Sequence, residues 1–254
     1  MVATIQSLRP PRAIRWVERW RLLSYGSVLL AVGSVYAGLK WGFFWWSLIP
    51  AAGFIWLGVW SGGVAIHRGR IVGEGSEGEA MTAKVLDNLP MDARVLHSVQ
   101  FDSGERTREL DHVLITHSAL FVIETKYLRG RIIGQVEDRE WTLHKRARKT
   151  RSRYKRGFYN PLKQVATQIY HLRKILEERL PQRWAHECSQ IWIQGVVVFA
   201  HPQCDASEVK SFANGVVTLD DLPNYLRNYR PPSRAARLSY GLRCEISHAL
   251  TGKN

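Results

Sequence analysis

A chain of 254 residues has room for at most two folded units. Its formal charge of +14 and pI near 10.0 imply attraction to an anionic partner, either phospholipid head groups or nucleic-acid phosphate, and say nothing about fold. Cys188, Cys204 and Cys244 are too few and too far apart for a cysteine zinc cluster or a disulfide framework, which leaves them as ordinary buried or half-buried thiols of a reducing compartment.

Seven of the ten Trp precede His67, and Glu18 is the only acidic residue before Glu74, so the first quarter differs in kind from the rest. Arg9, Arg12, Arg15, Arg19 and Arg21 make residues 1–21 a basic arm suited to anionic lipid. Two uncharged runs follow, residues 22–39 and 41–66, each long enough to cross a bilayer. Lys40 and the aromatic group from Trp41 to Trp46 read as an interfacial turn, so residues 22–66 are expected to form a two-helix transmembrane hairpin in contact with the lipid bilayer. The arginines before residue 22, with His67, Arg68 and Arg70 after residue 66, place both ends in the cytoplasm by the positive-inside rule. A cleaved signal peptide fits poorly because the apolar region is too long and too internal. A single span with a re-entrant first segment is the nearer alternative.

Beyond the glycines at 73, 75 and 78, residues 79–89 read as a short helix with Ala80, Ala83, Leu86 and Leu89 on one side. Strands are expected at residues 94–101, 110–116, 119–124 and 131–136, separated by turns such as Asp102-Ser103-Gly104 and His117-Ser118. The consecutive apolar residues Leu120, Phe121, Val122 and Ile123 suit a strand covered on both faces. Residues 139–156 carry Lys145, Arg146, Arg148, Lys149, Arg151, Arg153, Lys155 and Arg156 and read as a mobile basic loop able to bind nucleic acid or anionic lipid. Asn160 and Pro161 then supply an N-cap and a first-turn proline for a helix with Leu162, Val165, Ile169, Leu172, Ile175 and Leu176 on its apolar face. A strand at 191–199, a short one at 216–217 and closing helices at 219–226 and 234–250 complete a mixed α/β fold without internal repeats. The expected division is a domain over residues 71–200 and a C-terminal α/β extension over 201–254 packing on it.

The chemistry concentrates in Asp111, Glu124 and Lys126. Phosphodiester cleavage calls for carboxylates that hold one or two hard cations, Mg²⁺ or Mn²⁺, because the ion polarises the phosphate and lowers the pKa of the attacking water. An antiparallel pairing through the His117-Ser118 turn brings Asp111 beside Glu124, and Lys126, two residues on, shares the face of Glu124. On their own, two acids and a lysine are a weak signal, since strand-end acids beside Lys are usually solvated.

Four stretches strengthen it: Gly75-Ser76-Glu77-Gly78-Glu79, Glu109-Leu110-Asp111-His112-Val113, Phe121-Val122-Ile123-Glu124-Thr125-Lys126 followed by Gly130, and Asn160-Pro161-Leu162-Lys163-Gln164. In order and spacing they resemble the nuclease-related domain (NERD) family of the restriction-endonuclease-like superfamily, over roughly half the chain. The resemblance implies a restriction-endonuclease-like mixed sheet flanked by helices. It further implies that Asp111, Glu124 and the Thr125 carbonyl are metal ligands, that Lys126 assists the nucleophile, that Glu79 reaches the site from the first helix, and that Gln164 orients water or phosphate.

Other residues read more plainly. His112 is expected on the opposite strand face as a core or surface histidine, Gln168 and His171 as a solvated helix edge, and Trp141 as core. The resulting expectation is a membrane-anchored, metal-dependent nuclease acting on DNA ahead of RNA. The rival readings are a non-catalytic nucleic-acid-binding module and a membrane scaffold with an endonuclease-like fold.

Overall fold

The computed structural model describes residues 3–6, 12–103, 106–146 and 153–252. The chain divides into two compact units, residues 9–76 and a second formed by residues 1–8 with 77–254.

The first unit is a pair of long helices. Helix α1 spans Arg12–Trp41 and helix α2 starts at Phe44 and runs to Asp87, its last turns belonging to the second unit. Gly42, at φ +77°, makes the turn between them, a conformation that costs a residue without Cβ little. The stretches Val17–Trp41 and Trp45–Ile66 are both long and apolar enough to cross a membrane. Small residues line their contact: Ser24 Oγ donates to the Gly58 carbonyl at 3.0 Å, and a Cβ on Gly58 would lie 2.9 Å from Ser27 Oγ. Close packing of small residues is how helices associate where lipid removes the hydrophobic drive. Leu29, Trp45, Ile49, Trp56 and Val59 point outward and exposed, a surface ill suited to water. Arg12, Arg15, Arg19 and Arg21 belong to α1, so this part of the basic arm is helical, while Arg9 lies outside the described residues.

The glycines at 73, 75 and 78 do not start a new element, and the expected short helix at 79–89 is the end of α2. Leu86 and Leu89 of the expected face are buried, whereas Ala80 is exposed and Ala83 half-buried, and the buried stripe continues through Thr82 and Gly78 instead.

The second unit is a mixed α/β structure with two sheets. Strands β1 (Ala3–Gln6), β2 (Ala93–Ser103), β3 (Arg106–Thr116), β4 (Leu120–Lys126), β5 (Gly130–Ile133), β6 (Glu140–Arg146) and β7 (Arg153–Tyr159) precede helix α3 (Pro161–Arg179). Helix α4 (Ala185–Gln190), strands β8 (Ile193–Phe199), β9 (Cys204–Asp205) and β10 (Val216–Thr218), and helices α5 (Leu222–Asn228) and α6 (Tyr240–Thr251) follow. The larger sheet has the order β1-β2-β3-β4-β8-β10, antiparallel across β2, β3 and β4 and parallel elsewhere. The smaller has the order β7-β6-β5-β9.

Strand β4 is central, and six of its seven residues are buried. Leu120 and Val122 face a core with Val165, Leu172 and Leu176 of α3, whereas Phe121 and Ile123 face Leu86, Leu222 and Tyr225. Consecutive apolar residues are the consequence of cover on both faces. Gly195 in β8 brings α3 down onto the sheet, since a Cβ there would sit 2.3 Å from Val165 Cγ1.

The described parts of the segment 139–156, residues 139–146 and 153–156, are not the loose loop that their charge suggested. Strands β6 and β7 pair antiparallel from Glu140 opposite Tyr159 to Arg146 opposite Arg153. Trp141 and Leu143 alternate inward to the core and anchor the hairpin. Arg148, Lys149 and Arg151 lie outside the described residues, as does Gly104. The closing helices also differ from expectation, with α5 starting at Leu222 and α6 at Tyr240, after the prolines at 231 and 232.

Candidate functional site

The β3–β4 ladder runs from Ile115 opposite Leu120 to His112 opposite Ile123 and ends there, while β4 continues to Lys126 beside β8. Ser98 in β2, opposite this point, has φ +50°, a left-handed conformation unusual for serine, at the position where β2 and β3 skip a pair. Asp111 and Glu124 therefore stand at the mouth of a split between strands.

Asp111 Oδ2 accepts the Thr125 amide at 2.8 Å. Glu124 is almost wholly buried, yet each of its oxygens is satisfied. Its Oε1 receives Lys126 Nζ at 2.6 Å and Gln164 Nε2 at 2.6 Å, and its Oε2 receives Gln168 Nε2 at 2.7 Å. Gln164 Oε1 closes the ring by accepting from Lys126 Nζ at 3.0 Å. Asn160 fixes the helix that delivers both glutamines: its Oδ1 accepts the Leu162 amide, and its Nδ2 donates to the carbonyls of Val136 and Asp138.

From the opposite side, a Cβ on Gly78 would lie 2.7 Å from Tyr127 Cβ, so glycine is what admits the end of α2 beside the site. Thr125 Oγ1 donates to Thr82 Oγ1 at 3.2 Å, and Glu79 lies one turn before Thr82. Burial, then Glu109 and Glu124, raises the Glu79 pKa from 4.5 to about 7. Burial, then Glu124 and Glu79, holds the Asp111 carboxyl well above the usual range. Carboxylates crowd here with Lys126 as their nearby cation.

That crowding is what a divalent cation would relieve. Among the described residues no group of three or more His, Cys, Asp or Glu side chains is arranged to hold a metal. Two carboxylates with a backbone carbonyl and water nevertheless suit Mg²⁺, which keeps part of its hydration shell. Gln168 Oε1, buried without a partner beside Glu124, is a further free acceptor.

Asp111, Glu124, Lys126, Gln164 and Glu79 thus come together, with Thr125 tied to both flanking elements. Gln168 corrects its reading as a solvated edge: it is buried against Glu124, and its spacing of four from Gln164 was the available signal. Thr82 gave no signal in the sequence. His112 lies on the other face, its Nδ1 2.7 Å from His97 Nδ1, with burial pushing its pKa down to about 3. Trp141 is core, its Nε1 donating to the Gln135 carbonyl at 2.7 Å. Lys145 is half-buried, while Lys155 and Arg156 are exposed on β7, the outer strand of the smaller sheet.

Residues 74–200, half of the chain, match the profile of the nuclease-related domain family. An uncharacterized protein of Bacillus anthracis is 28% identical over 160 residues, covering 61% of this chain and 67% of the relative. No solved structure matches the chain.

Proposed function

The chain belongs to the nuclease-related domain family, and on that premise we propose that it is a metal-dependent nuclease held at a membrane by its two N-terminal helices. The observation that carries the reading is the convergence of Asp111, Glu124, Lys126 and Gln164 where β3 leaves β4.

Asp111, Glu124 and the Thr125 carbonyl would hold Mg²⁺ or Mn²⁺. When bound, the ion supplies Lewis-acid stabilisation of the phosphate and a lower pKa for the attacking water. Lys126 exchanges its contact with Glu124 for the scissile phosphate or the water. Gln164 and Gln168 hold the Glu124 carboxylate in orientation, and Gln164 turns its amide toward water as Lys126 moves. Glu79 stands at the edge of the site to take a proton near neutral pH.

Nucleic acid is the substrate that suits the basic excess, DNA ahead of RNA. Strand β7 offers Tyr154, Lys155, Arg156 and Tyr159 exposed and leads through Asn160 into the helix that carries Gln164. Aromatic residues interleaved with cations suit a nucleic-acid strand. The membrane reading rests on the two apolar helices and on β1. Strand β1 precedes both helices and pairs with β2, which follows them, and this supports a hairpin whose two ends lie on the same side of a bilayer. The positive flanks favour the cytoplasmic side.

The test is the full chain in detergent, incubated with plasmid and single-stranded DNA in Mg²⁺, Mn²⁺ or EDTA, beside Lys126→Ala. Metal-dependent cleavage lost in Lys126→Ala supports the enzyme. Binding without cleavage in every metal favours a tethered binding module.

A further inference from the structure

At the end of β4 remote from the carboxylates lies a cavity of about 540 Å³, between the β3–β4 turn and the segment that follows α5. Phe121 of β4 lines it, and Glu124 lies three residues further along the strand, about 10 Å at 3.3 Å per residue, with its side chain on the opposite face. Arg227, Arg230, Arg237 and His117 line it, with Ser118 and Ser233 as hydroxyl donors, and no Asp or Glu takes part among the described residues. None of the three arginines is ion-paired among the described residues, and the bonds of Arg227 and Arg230 go to backbone carbonyls of Pro223, Arg227 and Tyr229. Three other arginines of this unit are neutralised, Arg131 by Glu208, Arg183 by Glu245 and Arg243 by Asp92.

The walls are pinned. Thr116 Oγ1 accepts the Ser118 and Ala119 amides and fixes the turn that carries His117. Leu238 donates its amide to the His117 carbonyl, and Ala236 to that of Gln190, which ties down the segment after the two prolines. The Tyr229 hydroxyl accepts from Trp192 Nε1 at 2.6 Å and donates to Gln194 Oε1 at 2.6 Å, so its ring stands as a fixed aromatic wall. Preorganised walls reduce the ordering cost of a ligand.

We propose that this cavity is a second site, separate from the carboxylate cluster, which binds a small molecule bearing a phosphate group. Unpaired guanidinium groups match phosphate oxygens in geometry and are weakly hydrated, so an anion replaces water on them at small cost. The volume falls within the range of small-molecule sites. A nucleotide would add ring contact with Tyr229, whereas a glycerophosphate head group would use the cations alone.

The experiment is calorimetric titration of the full chain in uncharged detergent with inorganic phosphate, ADP and glycerol 3-phosphate. Saturable binding of at least one probe is expected, weakened at least tenfold in the Arg227→Ala/Arg230→Ala/Arg237→Ala variant and unchanged in Glu124→Gln. Ser233→Trp, which fills the cavity without removing charge, is expected to lose the same binding. ADP binding more tightly than glycerol 3-phosphate identifies a soluble nucleotide, and the reverse order a lipid head group. Absence of saturation with all three probes overturns the proposal. So does binding that survives in both cavity variants, or that vanishes in Glu124→Gln.

Discussion

Asp111 Oδ2 takes the amide proton of Thr125 at 2.8 Å, in the place where a continued β3–β4 ladder would have put the Leu110 carbonyl. Odd-numbered amides of β4 face β3, as the register of His112 with Ile123 requires. The carboxylate thus ends the ladder and holds the split open in one contact.

An Asp111→Asn substitution separates these two roles. The amide oxygen still accepts from Thr125, so the melting temperature stays within a few degrees, while the charge needed for a cation is gone. Cleavage is expected to fall by at least about 100-fold, the upper end of what loss of a supporting metal-site contact costs. DNA binding persists. Unchanged cleavage with intact folding removes Asp111 from the metal site.

Gln168 holds the deeper oxygen of a buried carboxylate. Gln168→Leu keeps the volume and leaves Glu124 Oε2 without that donor, at a cost of about 1.5–3 kcal/mol for a hydrogen bond to a charged group. Denaturant unfolding is expected to report the loss, and the Mg²⁺ concentration for half-maximal cleavage to rise about tenfold or more. A stability loss with no change in metal requirement reduces Gln168 to packing.

Glu79 imposes a pH dependence of known sign. Its folded pKa, about 7, exceeds the unfolded value of 4.5, so its contribution to stability is fully present below pH 4.5 and is lost as pH rises through 7. Glu79→Gln lacks that titration. In EDTA the variant is therefore expected to gain melting temperature relative to the parent between pH 5 and pH 8, and a difference that stays constant with pH contradicts the assignment.

The core of this site was legible because its signals are local. Four successive apolar residues, Leu120 to Ile123, marked β4, and Asn160 with Pro161 marked the start of α3 within one residue. Gly78 was misread as a boundary because a glycine signals a turn and a close approach equally well, and only the position of Tyr127 decides between them. The basic hairpin was hidden by composition: its exposed residues outnumber Trp141 and Leu143, the two that fold it. Gln168 looked solvated because an amide on a helix flank reads the same whether water or a buried carboxylate faces it.

Gly195 is the packing counterpart of the chemistry. Its missing Cβ lets Val165 reach β8, and Val165 stands between Gln164 and Gln168 on α3. Gly195→Ala would force α3 outward and destabilise the fold by about 1–3 kcal/mol, as overpacking does. Both glutamines move with the helix, so cleavage is expected to fall more than the fraction folded. Activity that tracks the folded fraction alone would mean the glutamines tolerate the shift.

The hairpin prediction separates charge from stacking. Replacing Lys145, Lys155 and Arg156 by Gln removes three cations, which should flatten the slope of log affinity against log salt by about 2–3 units, given roughly 0.7 to 0.9 per phosphate contact. Tyr154 and Tyr159, six residues and one residue before Asn160, are 55% and 48% exposed on the outer strand. Replacing both by Ser leaves the charge intact and removes two stacking faces, worth about 1–3 kcal/mol per base. Paired bases in a duplex do not offer their faces to such rings, so the tyrosine variant is expected to lose affinity for single strands while duplex affinity and both salt slopes stay put. Equal loss on single and double strands would assign the tyrosines to the fold of the hairpin, and an unchanged slope in the charge variant would take the hairpin out of the nucleic-acid contact altogether.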